Sequence, residues 1–502
     1  MKNQLKCCLS ICLCMAMLLS FAGCKKNNVN DDDSDYSIIY EYQTAKKSGE
    51  NQDADIGDGT ENTENGKKAT KSNKSNKSKS KSSTSVVSGI NVGGKTVKPY
   101  KDNSSRIKDL NGRKIVYVAT WDATDRTSEA GRIISATERQ LNCVFEERKM
   151  SSYKTLYTSI LSGNPIADIF CPSDAPILNL AANNMLVPLD TLSNFDFSED
   201  CWDQTACVDT KLNGHIYGMS RNVQWREILF YNKDMFAKNG WSDLYTLQEQ
   251  GKLTWDVLEG IMKKAVSVSG SGVVNRYGLV PLYSLQEFGF SMLAANGVCS
   301  ITRVGDTKNF TNNFTTKNAT LNALNRLKSW TDTKGMIYDN SSAGWDSGRQ
   351  VFYSGKAACA LIDYNQAGQI ASNANFNVGM CLFPHGPDTK DDMVIHNVTY
   401  TCIAKGTKNP NDVALFWDVL RDNSNETANV CDVSKLFTDK SCQSTIDKYI
   451  SAVQKGKAKT DYGKSMNVAL QIKNVIDGSA TPAKAVATVS QTLAASIEEY
   501  WK

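Results

Sequence analysis

The chain has 502 residues, with 57 Lys and Arg against 53 Asp and Glu and a formal net charge of +4. Charges so nearly balanced give no argument for a nucleic-acid or other polyanionic partner, and the length exceeds one small domain. Three histidines, and 15 cysteines without a Cys-x-x-Cys spacing, leave a zinc site little support.

The N-terminus reads first as a targeting signal. Lys2 and Lys6 precede an apolar run from Leu9 to Phe21, and small Ala22 and Gly23 sit directly before Cys24. This layout resembles a bacterial lipobox, in which the signal peptide (residues 1–23) is cut ahead of a cysteine that receives lipid. The one departure is Phe21 where leucine is usual. A transmembrane anchor or a plain secretory signal fits less well, because the run is short and ends in small residues. Cleavage there would start the mature protein at Cys24, on the outer face of the cytoplasmic membrane.

Residues 24–108 read as a disordered, low-complexity tether. Acidic residues (Asp31, Asp32, Asp33, Asp35) give way to Lys-Ser-Asn repeats between Lys71 and Lys81. Such a stretch buries too little carbon to offset chain entropy. As a flexible coil of about 60 to 80 residues it reaches on the order of 40 to 50 Å. The lysines lack interleaved Arg or aromatics, which favours a solvated spacer over a phospholipid or nucleic-acid patch.

From about Asp109 the pattern is strand alternating with helix. Lys114–Ala119, Val144–Arg148 and Ala167–Phe170 read as strands, separated by helices over Ser128–Leu141 and Tyr153–Leu161 and followed by one over Ala175–Asn184. This alternation predicts an α/β fold with wound parallel sheets, whose ligands collect beyond the carboxyl ends of the strands. Gly214–Met219 and Ile228–Lys233 read as further strands, the second passing to a helix capped near Asn232. Thr254 is the expected N-cap of the next helix. The chain then reads as mainly helical from Val280 to Lys334, with strands at Ala357–Ile362, Asn377–Phe383 and Val394–Ala404 and a helical end from Asp412. Cys171 and Cys359 lie in apolar runs and read as small buried hydrophobes, and Trp255, Trp330 and Trp417 read as core residues on helix faces. Cys201 and Cys207 can pair in an oxidising compartment or remain thiols.

Several blocks carry a family resemblance in order along the chain. Asn164-Pro165-Ile166-Ala167-Asp168-Ile169 and Met185-Leu186-Val187-Pro188-Leu189-Asp190 come first. Gly214-His215-Ile216-Tyr217-Gly218, Phe230-Tyr231-Asn232-Lys233, Leu253-Thr254-Trp255-Asp256 and Gly355-Lys356-Ala357-Ala358 follow. The set resembles the extracellular solute-binding proteins (family 1, carbohydrate type) of ABC importers and covers roughly residues 112 to 502. The resemblance implies a two-lobe, periplasmic-binding-protein-like fold of type II, maltose-binding-protein-like, with three interlobe crossings. These fall near Asn222–Ile228, Asp363–Asn377 and Arg421–Glu426. Lobe 1 is then about 109–224 with 370–422, and lobe 2 about 225–369 with 423–502. A monomer that binds a sugar or oligosaccharide in the interlobe cleft, closes on it and passes it to ABC permease subunits is the implied function, with no cofactor.

Ligand contacts implied by the resemblance are Trp121 and Asp122 after the first strand, Asp174 after the third, and Trp225 at the first crossing. Glu287, Trp345, Asp363, Tyr364 and Tyr462 complete the set. Aromatic faces would take C–H patches of the sugar, while carboxylates would take hydroxyls. No Gly-x-Ser-x-Gly elbow, Walker loop, Gly-x-Gly-x-x-Gly or His-Glu-x-x-His occurs, so the chain is not read as an enzyme. A glycan hydrolase needs only two suitably spaced carboxylates and stays the alternative, beside a ligand-presenting sensor lipoprotein.

Overall fold

The computed structural model describes residues 90–92 and 95–501, apart from 173–175, 222–226, 282, 342, 344–346, 392–399, 426–432 and 455–459. A short hairpin of β1 (Ile90–Val92) and β2 (Lys95–Val97) precedes the α/β body. The first sheet has the order β15-β5-β3-β4, with β15 formed by Cys402–Ile403. Its strands β3 (Arg113–Ala119), β4 (Cys143–Lys149) and β5 (Ile169–Phe170) run parallel, as the alternation with helices requires. Small hairpin strands β6 (Lys211–Leu212) and β7 (His215–Ile216) follow.

The second sheet holds β8 (Glu227–Asn232), β9 (Ser267–Val268), β10 (Val274–Pro281), β13 (Ala357–Asp363) and β14 (Val378–Leu382), in the order β14-β8-β13-β10-β9. Between them β11 (Ile301–Arg303) and β12 (Phe310–Asn312) make a hairpin. This interrupts the helical stretch expected there; strands of three residues leave too little alternation to be read. β15 (Cys402–Ile403) returns to the first sheet, antiparallel to β5.

Each sheet is covered on both faces, so its residues sort by parity. In β3, Ile115, Tyr117 and Ala119 join the helices Glu129–Leu141 and Pro410–Asn423, while Val116 and Val118 join the side of Leu156, Ile160 and Leu178. In β8, Ile228 and Phe230 pack with Phe352, Ile370 and Ile446, and Leu229 and Tyr231 with Leu258, Phe288 and Leu293. Trp255 and Trp330 are buried with their rings edge to face at 6.2 Å, and Trp417 is buried beneath the first sheet. Cys171 and Cys359 are buried thiols, as are Cys201 and Cys207, which remain unpaired.

Local signals act as the chemistry demands. Ser128 Oγ accepts the Gly131 N–H at 3.1 Å, and Asn232 Oδ1 accepts that of Met235 at 2.8 Å. Thr254 occupies its N-cap position but makes no side-chain cap bond. Gly379 in β14 lies under the ring of Tyr231, so an added methyl would meet ring carbon at 2.2 Å. Gly379→Ala should therefore cost about 1 to 3 kcal/mol by overpacking, read as a lower urea midpoint. An unchanged midpoint would show that this ring moves freely.

Two boundaries differ from expectation. β14 is the outer strand of the second sheet, hydrogen-bonded to β8 along Val378–Leu382. The return to the first sheet therefore lies beyond Phe383, not at Asp363–Asn377, because a fully buried apolar strand completes the sheet it can pair with. The expected tether is likewise ordered toward its end: Ile90–Val92 pairs with Lys95–Val97 in a hairpin, Pro99 and Asn103 are buried, and Arg106 bonds Asp418 and Asp422 on the helix Pro410–Asn423. Charge pairing holds this segment, and hydrophobic periodicity gave no sign of it. The signal peptide, Cys24 and the tether up to residue 89 lie outside the described residues.

Candidate ligand-binding site

The carboxyl edges of the two sheets carry most of the described candidate residues. In the first sheet β3 ends at Ala119 and runs into Thr120-Trp121-Asp122. Trp121 is half-buried and leans on Tyr117 at 6.4 Å between ring centroids. Tyr117 in turn rests on Phe145 at 5.8 Å and Trp417 at 5.5 Å, so the indole sits on an aromatic foundation. Asp122 is exposed and pairs with Lys149, the last residue of β4, at 3.0 Å. An exposed pair of this kind adds little stability and leaves both groups free to meet a ligand.

The second sheet brings its acids together. β10 and β13 are parallel and end at Pro281 and Asp363, while β8 is antiparallel and begins at Glu227, directly opposite Asp363. Asp363 is buried and accepts a hydrogen bond from Tyr283 Oη at 2.5 Å. The Ser291 hydroxyl donates to Glu227. Ser284 caps the helix Leu285–Ala295 by accepting the Glu287 N–H at 3.3 Å, which sets Glu287 in the first turn. There the helix dipole favours an acid, and Glu287 pairs with Lys464 at 2.6 Å.

Electrostatics divide this cluster into unequal acids. Burial pushes the Glu227 carboxyl up to about 8; Asp363 and Glu287 add to the rise, and the Ser291 hydroxyl and Lys464 oppose it. Burial alone would lower the Lys464 pKa, but Glu287, Glu227 and Asp461 together raise it, so it stays cationic. At neutral pH Glu227 is then a hydrogen-bond donor as well as an acceptor. The edge thus offers carboxyl, phenol, hydroxyl and ammonium groups within one small area. That array can bind hydroxyls in both senses.

Of the expected contacts, Glu287 and Asp363 are brought into this cluster, and Trp121 and Asp122 lie together on the other sheet. Tyr364 follows Asp363, but its ring is only 8% exposed and packs in the apolar core with Ile362 and Ile370. Tyr462 is half-buried against Phe310 at 5.3 Å and Tyr500 at 6.3 Å, with its hydroxyl donating to the Asp209 carbonyl at 3.4 Å. Asp174, Trp225 and Trp345 lie outside the described residues. Sequence reasoning missed Glu227, Tyr283, Ser291 and Lys464. The single available sign was an acid opening the apolar run Ile228–Tyr231, which by itself marks only a strand end.

Comparison with known proteins agrees with this architecture. The family model of bacterial extracellular solute-binding proteins matches residues 144–426, more than half of the chain. The GacH receptor of Streptomyces glaucescens, solved unliganded and with acarbose, has a similar fold at TM-score 0.57 and 18% identity, covering 78% of this chain and 99% of that one. The ABC substrate-binding protein Lmo0181 of Listeria monocytogenes, in complex with cycloalternan, matches at TM-score 0.55 and 16% identity, covering 78% and 98%. The maltose/maltodextrin-binding domain MalE of Bdellovibrio bacteriovorus, bound to maltotriose, matches at 0.54 and 14%, covering 77% and 99%. No curated protein matches the sequence significantly. With the family model spanning most of the α/β body and the two-lobe, maltose-binding-protein-like fold shared with these structures, the chain belongs to the bacterial extracellular solute-binding proteins.

Proposed function

We propose that this protein is a lipid-anchored receptor on the outer face of the cytoplasmic membrane. It binds an oligosaccharide between its lobes and delivers it unaltered to the permease subunits of an ABC importer. The observation that carries the sugar reading is the set of acid, phenol and indole groups at the carboxyl edges of two wound sheets, where α/β folds bind ligands. Related structures hold acarbose, cycloalternan and maltotriose, which supports the same ligand class here. Anchoring through Cys24 rests on the lipobox-like Leu19–Cys24, and no described helix is long and apolar enough to cross a membrane.

Closure follows from differential affinity: a ligand seated on one edge gains further contacts on the other only when the lobes approach. A thermal-shift screen against neutral oligosaccharides tests the reading, since a tight closing ligand raises the melting point by mass action. Trp225→Ala should weaken binding of a hit by about 1 to 3 kcal/mol, as expected for loss of a stacking face, while leaving the fold intact. Equal affinity in calorimetry would remove Trp225 from the site. A protonated Glu227 opposite Asp363 also invites a hydrolase reading. Incubation with the same sugars separates the two, because released reducing ends would mark an enzyme.

A further inference from the structure

The segment that leads into the α/β body is strapped across the places where the chain leaves the first sheet. The Tyr100 N–H donates to the Asp422 carbonyl at 2.8 Å, and the Tyr100 hydroxyl donates to Asp200 Oδ1 at 2.6 Å. Lys101 pairs with Glu199, and the Arg106 guanidinium bonds Asn103, Asp418 and Asp422. Arg221 approaches the same two carboxylates from the other side, with Nη1 3.3 Å from Asp418 Oδ1 and Nη2 2.6 Å from Asp422 Oδ1. Its guanidinium also lies over the rings of Tyr100, at 5.5 Å, and Trp202, at 5.2 Å. Two arginines thus face two aspartates, and Arg221, Asp418 and Asp422 are each at most 3% exposed.

The location of this quartet gives it a consequence. Arg221 is the last described residue before the chain moves to β8 in the second sheet. Asp422 lies in the last turn of the helix Pro410–Asn423, after which the chain moves to Val433 and the helix Lys440–Gln454, packed on β14. Both passages therefore start from one buried charge cluster, and Arg106 supplies half of its positive charge. Buried aspartates cannot be left underpaired without rearrangement, because the desolvation cost of each charge is several kcal/mol.

We propose that Arg106 and Tyr100 are positioning residues for the hinge, fixing the angle at which both passages leave the first lobe. The membrane-side segment is thereby coupled to opening and closing. The inference rests on the two-lobe receptor reading, but its test needs no ligand. Dyes attached through unnatural amino acids at Val144 in β4 and Val268 in β9, both exposed, report the separation of the two sheets in single molecules of the full chain. Arg106→Met is the direct variant. The pair Arg106→Met with Asp418→Asn keeps the cluster neutral, and Tyr100→Ala alters only the outer layer of the strap.

The expected result is a neutral double variant that melts within a few degrees of the parent. Its ligand-free distance distribution should be broadened at least about 1.5-fold or shifted, with a smaller change of the same kind for Tyr100→Ala. Distributions identical to the parent in both variants, whatever happens to the melting point, would overturn the proposal and leave the strap a structural brace. Absence of sugar binding would instead count against the receptor function without touching this distance measurement.

Discussion

Arg221→Met should lower the unfolding free energy by about 3 to 5 kcal/mol. The guanidinium is buried with Asp418 and Asp422, and its removal leaves two carboxylates to one partly exposed arginine, Arg106. The loss reflects the charge left unpaired as much as the worth of the pair. Adding Asp422→Asn to Arg221→Met should therefore return part of the stability, the sign opposite to simple addition. Urea unfolding of the parent, the two single variants and the double variant measures this directly. A loss below about 1 kcal/mol for Arg221→Met would mean that the quartet behaves like a solvated surface pair.

Stability should also fall as pH rises from about 5 to 8, with Glu227 the cause. In the folded protein its carboxyl holds a proton up to about pH 8, whereas the ordinary value is 4.5. Between those values the folded state binds more protons than the unfolded one, so unfolding becomes easier with rising pH, by up to about 1.4 kcal/mol per unit. Glu227→Gln replaces the neutral acid with a neutral amide and should flatten this dependence, chiefly above pH 5. The groups facing it are Asp363 from β13, Glu287 and Ser291 from the helix Leu285–Ala295, and Lys464 from the turn Tyr462–Ser465. Equal slopes for the parent and Glu227→Gln between pH 5 and 8 would remove Glu227 as the titrating group.

The strands were legible where burial is two-sided. Ile115–Ala119, Ile228–Tyr231 and Ala357–Ile362 are continuous apolar runs, and such runs are what a sheet covered on both faces demands. The helix Glu129–Leu141 was legible from Ile133, Ile134, Thr137 and Leu141 on one face, all buried in the structure. The hairpin β11–β12 was not, since Ile301-Thr302-Arg303 and Phe310-Thr311-Asn312 are too short for any period to emerge. The place of β14 was also hidden, because an apolar run states that it is buried without stating in which sheet.

The candidate site divides the same way. Trp121, Asp122 and Asp363 could be placed because each directly follows a readable strand. Glu227 could not, as its character comes from standing opposite Asp363 and beneath Ser291, residues 136 and 64 positions away by subtraction of their numbers. Tyr364 shows the converse: its phenol follows a readable strand, yet the ring turns into the core with Ile362 and Ile370.

The sequence by itself determined the α/β class and the ordered family blocks, because these depend on local composition and on periods of two and 3.6 residues. The tertiary structure alone decided which acids share one edge, which of them keeps its proton, and that residues 98–108 dock on the helix Pro410–Asn423. Those properties arise from pairings between distant segments in a low-dielectric interior, and no local pattern encodes which distant residue will arrive.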